Sequence, residues 1–289
     1  MHPDSASGAA RAAAARGTIS VLSTVAGEPL EQVASAAGGR MWFQLYASGG
    51  RDEAEQLIDR VGAAGFEGLV VTVDTPVLGH RERDVRNGIV PPLRISARNA
   101  VQLGPQILSR PLWAWRMARD GLQMGGGGMR SGPSVLSVSP ASPFTWSDIE
   151  WIRGRWSGPL LVKGVLTAQD ATRAAACGSD GVVVSNHGGR QLEGAPATLR
   201  ALPEIASAVG DEIVVLMDGG VRRGSDVAKA LALGARAVLI GRPYLYGLAA
   251  AGRQGVERVL QILEDEMSRT MSLLGCPAAS ELDATWLGP

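Results

Sequence analysis

Residues 160–185 read LLVKGVLTAQDATRAAACGSDGVVVS. An apolar run ending in Lys163 comes first. A segment of helical character, Ala168 to Cys177, follows, and then a second apolar run from Gly181 to Ser185. A strand, a crossover helix and a second strand in that space are the signature of a parallel βαβ unit. The same alternation recurs outward in both directions. Strands are expected at Thr18–Ser23, Met41–Leu45, Gly68–Val73, Leu160–Lys163, Gly181–Ser185, Ile213–Met217 and Ala237–Ile240. Helices are expected at Pro29–Ala37, Asp52–Ala64, Trp146–Trp156, Ala168–Cys177, Leu199–Val209, Ser225–Leu233 and Gln254–Leu274, with one more, Ser5–Ala15, ahead of the first strand. Repeated βα units of this kind feed one parallel sheet, and the expected fold is an α/β TIM (β/α)8 barrel. Only seven strands are readable where a closed barrel needs eight, so the first barrel strand is expected to be missing or supplied otherwise.

The 289 residues suit one barrel domain over 1–289. Twenty-eight Lys and Arg balance twenty-eight Asp and Glu, so no overall charge draws the molecule to nucleic acid or an anionic membrane. Cys177 and Cys276 are too few for a disulfide framework. His2, His80 and His187 do not fall at zinc-ligand spacing, and no metal is expected. No segment reads as a signal peptide or a membrane span, which places the protein in the cytoplasm as an expectation. One connection breaks the rhythm. Residues 75–143, after what would be the fourth barrel strand, contain no clear strand and read as a long loop or lid. Within it, Pro111 to Gly121 sets Leu112, Trp113, Trp115 and Met117 beside Arg116 and Arg119. That pattern is compatible with contact at the inner face of a membrane, and the preferred reading is a lid helix packed on the barrel mouth.

In a parallel barrel the reactive groups stand at the C-terminal ends of the strands. In chain order those ends offer Ser23, Gln44 with Tyr46, Thr72 with Asp74, Lys163, Ser185 with His187 and Arg190, Asp218 with Arg222, and Gly241 with Arg242. The last two groups fall after the seventh and eighth barrel strands, where such barrels commonly bind phosphate. Glycines there, Gly220 among them, let backbone amides close on an anion while Arg222 and Arg242 add charge. A phosphorylated ligand is the expectation. An imidazole such as that of His187 can serve as a proton acceptor, and Arg190, three residues on, offers a planar fork suited to a carboxylate.

The heptapeptide Ser185-Asn186-His187-Gly188-Gly189-Arg190-Gln191 closely resembles the active-site signature of the FMN-dependent 2-hydroxy-acid dehydrogenases and oxidases. The stretches 43–46 (FQLY), 72–76 (TVDTP) with Gly79, Arg81 and Glu82, 162–165 (VKGV), 218–224 (DGGVRRG) and 240–243 (IGRP) resemble that family's other motifs, in its order. The resemblance implies FMN as cofactor, and no Gly-x-Gly-x-x-Gly follows an early strand to suggest NAD. It implies oxidation of a small, lactate- or glycolate-like L-2-hydroxy acid, with His187 as the base and Asp74 as its partner. Arg190 and Arg81 would bind the substrate carboxylate, and Tyr46 would hydrogen-bond a substrate oxygen. For the cofactor it implies Lys163 beside the flavin, Ser23, Gln44, Thr72 and Ser185 along the isoalloxazine and ribityl chain, and Asp218, Gly220, Arg222, Gly241 and Arg242 towards the phosphate. Relatives carry a further N-terminal segment with the first barrel strand, and are commonly tetramers, so a homo-oligomer is implied. Val25 stands where glycolate oxidase-like relatives have a bulkier aromatic, which implies a differently shaped substrate pocket. Two alternatives are weighed beside this: a non-catalytic FMN- or phosphate-binding remnant, and a flavin or phosphate barrel acting on another substrate, such as an isomerase or a peptide-modifying relative.

Overall fold

A computed structural model describes residues 2–46, 50–87, 104, 105, 107–111, 114, 115 and 144–288. Its elements in chain order are α1 (Ser5–Ala15), β1 (Ser20–Ser23), α2 (Leu30–Ala37), β2 (Met41–Tyr46), α3 (Gly50–Ala63), β3 (Gly68–Thr72), α4 (Glu82–Arg86), α5 (Trp146–Arg153), β4 (Leu160–Val165), α6 (Ala168–Ala176), β5 (Gly181–Val184), α7 (Thr198–Val209), β6 (Val214–Met217), α8 (Gly224–Ala232), β7 (Ala237–Val238) and α9 (Arg242–Leu274). The strands form one parallel sheet in the order β1-β2-β3-β4-β5-β6-β7, curled as part of a TIM barrel. All seven strands expected from the sequence are present. Among the described residues no strand joins β7 to β1.

The strands read as unbroken apolar runs because both faces of the sheet are covered. Val70, Leu161, Val183 and Leu216 form an inner cluster, with Val21, Trp42 and Leu239 packed against it at the two open sides. The neighbours of opposite parity, including Leu69, Val71, Leu160, Val162, Val182, Val184 and Met217, belong to the larger core beneath the helices. Burial follows position in the sheet. Every residue of β3 and β5 is buried, whereas β1 is mostly half-buried and Ala237 of the edge strand β7 is exposed.

Local chemistry fixes the helix starts. The Thr167 side chain accepts from the Asp170 amide at 3.1 Å to open α6. The Asp148 carboxylate accepts from the Thr145 amide at 2.8 Å ahead of α5. Alanines 171 and 174 give α6 a thin, fully buried face that lets it lie close on the sheet. The helical run α9 is broken at Ala251–Gly252, where backbone angles leave the helical region. The sequence reading placed a helix only over Gln254–Leu274 and missed the first half, which Gly241 and Pro243 at its start announce. It also missed α4 within the 75–143 connection. The lid-helix reading of Pro111–Gly121 falls mainly outside the described residues. No described helix is long and apolar enough to cross a membrane.

Candidate active site

Strand register brings the polar residues together. Ser23 is paired with Gln44, Tyr46 with Thr72, and Thr72 with Lys163, so one end of the sheet carries two short polar rows, Ser23–Gln44 and Tyr46–Thr72–Lys163. At its floor, the Gln44 amide donates to the Thr72 hydroxyl at 2.6 Å, both residues being buried. Next to them Lys163 Nζ lies 2.9 Å from Ser185 Oγ and 3.2 Å from Asp218 Oδ2. This lysine lies near the end of an otherwise apolar strand, β4, and the carboxylate is the counter-charge that such burial requires.

The strand β4 is irregular between Lys163 and Val165, and Gly164 sits there at φ +106°. A Cβ at that position would lie 2.6 Å from Asp74 Cβ and 2.8 Å from its carboxyl carbon. Glycine is therefore what allows the loop after β3 to bring Asp74 against β4. From there the Asp74 carboxylate reaches His187 Nδ1 at 3.0 and 3.2 Å. A carboxylate accepts only, so Nδ1 carries the proton and the lone pair of the neutral ring resides on Nε2. That nitrogen faces the Tyr46 hydroxyl at 3.4 Å, with the two rings stacked at 6.3 Å between centroids. His187 adopts φ +57°, an uncommon conformation for a residue with a side chain, and its amide donates to Ser185 Oγ at 3.1 Å. Burial, and then the Asp74 charge, push the Tyr46 phenol above its ordinary value, so it stands as a protonated donor.

Two guanidinium groups complete the mouth. Arg81 is held below its ordinary pKa by burial and then by the like charge of Arg190. Its Nε is buried with no hydrogen-bond partner among the described residues, and its Nη2 meets Gln191 Oε1 at 3.5 Å. Arg190 itself is exposed. Neither arginine forms an ion pair with a carboxylate among the described residues, and both act electrostatically on Tyr46. Two neighbouring cations beside a phenol and an imidazole can receive a small anion.

At the far side of the sheet, Gly219 and Gly220 follow β6 with positive φ, and Gly241 follows β7 at the start of α9. Arg222 is exposed, with its backbone amide on Asp226 at 3.0 Å. Its neighbour Arg223 pairs instead with Glu266 at 2.9 Å. Arg242 donates to the Gly188 carbonyl at 2.8 Å and thereby ties the loop after β7 to the loop carrying His187. Ser23 lies apart from these contacts; among the described residues its hydroxyl accepts only the Val25 amide, at 3.3 Å. Thr24 escaped the sequence reading. Buried beside Ser23, it donates to the Gln44 carbonyl at 2.8 Å and accepts from the Tyr46 amide at 3.2 Å, so it fixes the backbone of two site residues. The only available signal was a hydroxyl residue at a strand end.

These features fit a phosphorylated, polyhydroxylated cofactor. Asp218 Oδ1 is buried without a hydrogen-bond partner among the described residues, although Oδ2 is satisfied by Lys163. An acceptor left over beside a lysine suits a hydroxyl donor, and the glycine loops and the start of α9 lie where an anion binds. The curled parallel sheet with this polar rim defines a barrel-type site for such a cofactor next to an anion receptor.

The whole chain, residues 1–289, matches the family model described as FMN-dependent dehydrogenase, and the protein belongs to that family of FMN-dependent 2-hydroxy-acid dehydrogenases and oxidases. It is 45% identical to an L-lactate dehydrogenase of Caulobacter vibrioides over 96% of this chain and 74% of that protein. It is 44% identical to a pre-mycofactocin synthase of Mycobacterium tuberculosis over 94% of this chain and 70% of that protein. Glycolate oxidase 1 of Zea mays is also 44% identical, over 97% and 72%. Among solved structures, the monotopic membrane protein (S)-mandelate dehydrogenase matches with a TM-score of 0.89 at 38% identity, over 98% of this chain and 76% of that one. FMN is accordingly the cofactor of this family fold.

Proposed function

We propose that the protein oxidises a small L-2-hydroxy acid of lactate or glycolate type to the corresponding 2-oxo acid. The supporting observation is the pair of guanidiniums, Arg81 and Arg190, that form no ion pair with a carboxylate among the described residues, set beside the oriented Asp74–His187 pair and Tyr46. Relatives acting on different substrates match at nearly the same identity, so the reading of the substrate rests on this site. A receptor for a carboxylate next to a base favours a hydroxy acid.

Arg190 and Arg81 bind the substrate carboxylate, the former by its exposed fork and the latter through the Nε that has no hydrogen-bond partner among the described residues. Tyr46 donates to the substrate hydroxyl oxygen, as a phenol kept protonated by burial can. His187 Nε2 takes up one proton from the CH–OH unit, and Asp74 stabilises the imidazolium that results. Lys163, Ser185, Gln44, Thr72 and Ser23 would line the flavin, Asp218 would meet the ribityl chain, and Gly220, Arg222, Gly241 and Arg242 would hold the phosphate. When bound there, FMN supplies the acceptor for the electron pair and the second hydron. Lys163 places fixed positive charge beside it, which favours acceptance of negative charge.

The test is anaerobic. FMN-loaded protein is mixed in turn with L-lactate, glycolate and L-mandelate while the flavin absorbance is recorded. Bleaching by at least one acid, and none by D-lactate, is expected. Tightly bound FMN that none of the acids bleaches would refute the reaction and favour a cofactor-binding role alone.

A further inference from the structure

We propose that Gln191 is a positioning residue that fastens the loop after β3 to the loop after β5, setting both the Asp74–His187 pair and Arg81. The inference rests on reading His187 as the base. Its observation is the use of the whole Gln191 amide. Nε2 donates to the Asp74 carbonyl at 3.1 Å and to the Val77 carbonyl at 3.0 Å. Oε1 accepts from the Gly79 amide at 3.3 Å and from Arg81 Nη2 at 3.5 Å. A primary amide has two N–H donors and two acceptor lone pairs, and all four are engaged on residues 74–81.

The two loops meet at main-chain distance here. A Cβ on Gly79 would lie 2.5 Å from the Arg190 carbonyl oxygen and 2.6 Å from that of Gln191. Among the described residues, every hydrogen bond between segments 74–81 and 185–191 uses either the Gln191 amide or the Asp74–His187 pair itself. Without the amide, the pair that must be aligned would be the only polar link doing the aligning. The Asp74 carbonyl that Gln191 holds belongs to the residue whose carboxylate takes His187 Nδ1, so a slackened loop moves the acceptor off the ring. Gln191 also satisfies one end of Arg81 and leaves the buried Nε for a ligand.

Two substitutions separate these tasks. Gln191→Glu keeps an acceptor for Gly79 and Arg81 and loses both donors to Asp74 and Val77. Gln191→Leu loses all four bonds at similar volume. In FMN-loaded full-length protein the readout is the low-field proton resonance of His187 Nδ1–H, assigned by its absence from His187→Gln. Wild type should show a resonance protected from solvent exchange, and both Gln191 variants should lose it or exchange it much faster. Flavin reduction by the best acid should slow about 10- to 100-fold in both variants, the range found when outer partners that orient ligating histidines are removed. Binding of oxalate, followed by flavin absorbance, should weaken in both variants, because Gln191→Glu gives Arg81 a carboxylate partner and Gln191→Leu removes the acceptor that holds it. An unaltered resonance in both variants overturns the proposal. So does failure of both to retain FMN, which would mark Gln191 as a residue of the fold alone. A resonance lost as expected, in a protein that no hydroxy acid reduces, supports the clamp and refutes the reaction instead.

Discussion

Asp74→Asn removes the charge from the base pair while keeping its size. The carboxylate lies 3.0 and 3.2 Å from His187 Nδ1, and neither side chain is more than a fifth exposed. With charge centres about 4 Å apart and an effective dielectric of about 20, a full imidazolium would gain about 4 kcal/mol from this carboxylate. At about 1.4 kcal/mol per factor of ten, complete proton transfer in the transition state would be worth about 10³ in rate, and half-complete transfer about 30-fold. The amide brings a second defect, since an NH₂ facing Nδ1 would move the ring proton to Nε2 and silence the base. The expected result is a fall in the rate of flavin reduction of about 30- to 1,000-fold. The assay is anaerobic stopped-flow mixing with the most active acid, on protein whose FMN content equals that of wild type. A fall of under about threefold would refute the reasoning, because even partial proton transfer to His187 would feel the missing charge.

Lys163→Met should make the two-electron potential of bound FMN more negative by tens of millivolts, about 30 mV for each 1.4 kcal/mol of lost stabilisation. Equilibration with redox dyes measures this, and an unchanged potential would remove Lys163 from the flavin. Gly79→Ala should cost about 1–3 kcal/mol by driving the two loops apart, seen as a drop of several degrees in Tm with FMN bound. An unchanged Tm would mean that the loops do not pack as described. Tyr46 and Tyr244, both raised by burial, should ionise later than a free phenol in a spectrophotometric titration. A raised phenol favours the folded state below its unfolded value near 10, and that contribution is lost as pH climbs through the folded value. Tyr46→Phe should therefore remove part of the late phase, and a titration curve identical to wild type would contradict the burial argument.

The central strands were legible because they are apolar runs covered on both faces, as at Gly68–Thr72 and Gly181–Val184. The helices were legible where a small or amphipathic face recurs, as in α6. The first half of α9 was not, because it starts where glycine and arginine suggested only a loop. Site residues could be read where they stand at or near strand ends, since parallel register places such positions together, as Tyr46, Thr72 and Lys163 show. What spacing could not reveal are contacts between distant loops. Gln191 and Asp74 are 117 positions apart, and Arg242 meets Gly188 across 54. Thr24 was hidden for a related reason, since its task is to bond backbone groups of the neighbouring strand.

The most direct test of the central claim is His187→Gln, loaded with FMN and mixed anaerobically with the acid that reduces the wild type fastest. The account predicts flavin bound as tightly as before and reduction slowed by about 10² to 10⁴, the usual contribution of a positioned base. Reduction at a rate close to wild type would contradict it, because proton uptake would then not pass through His187 Nε2.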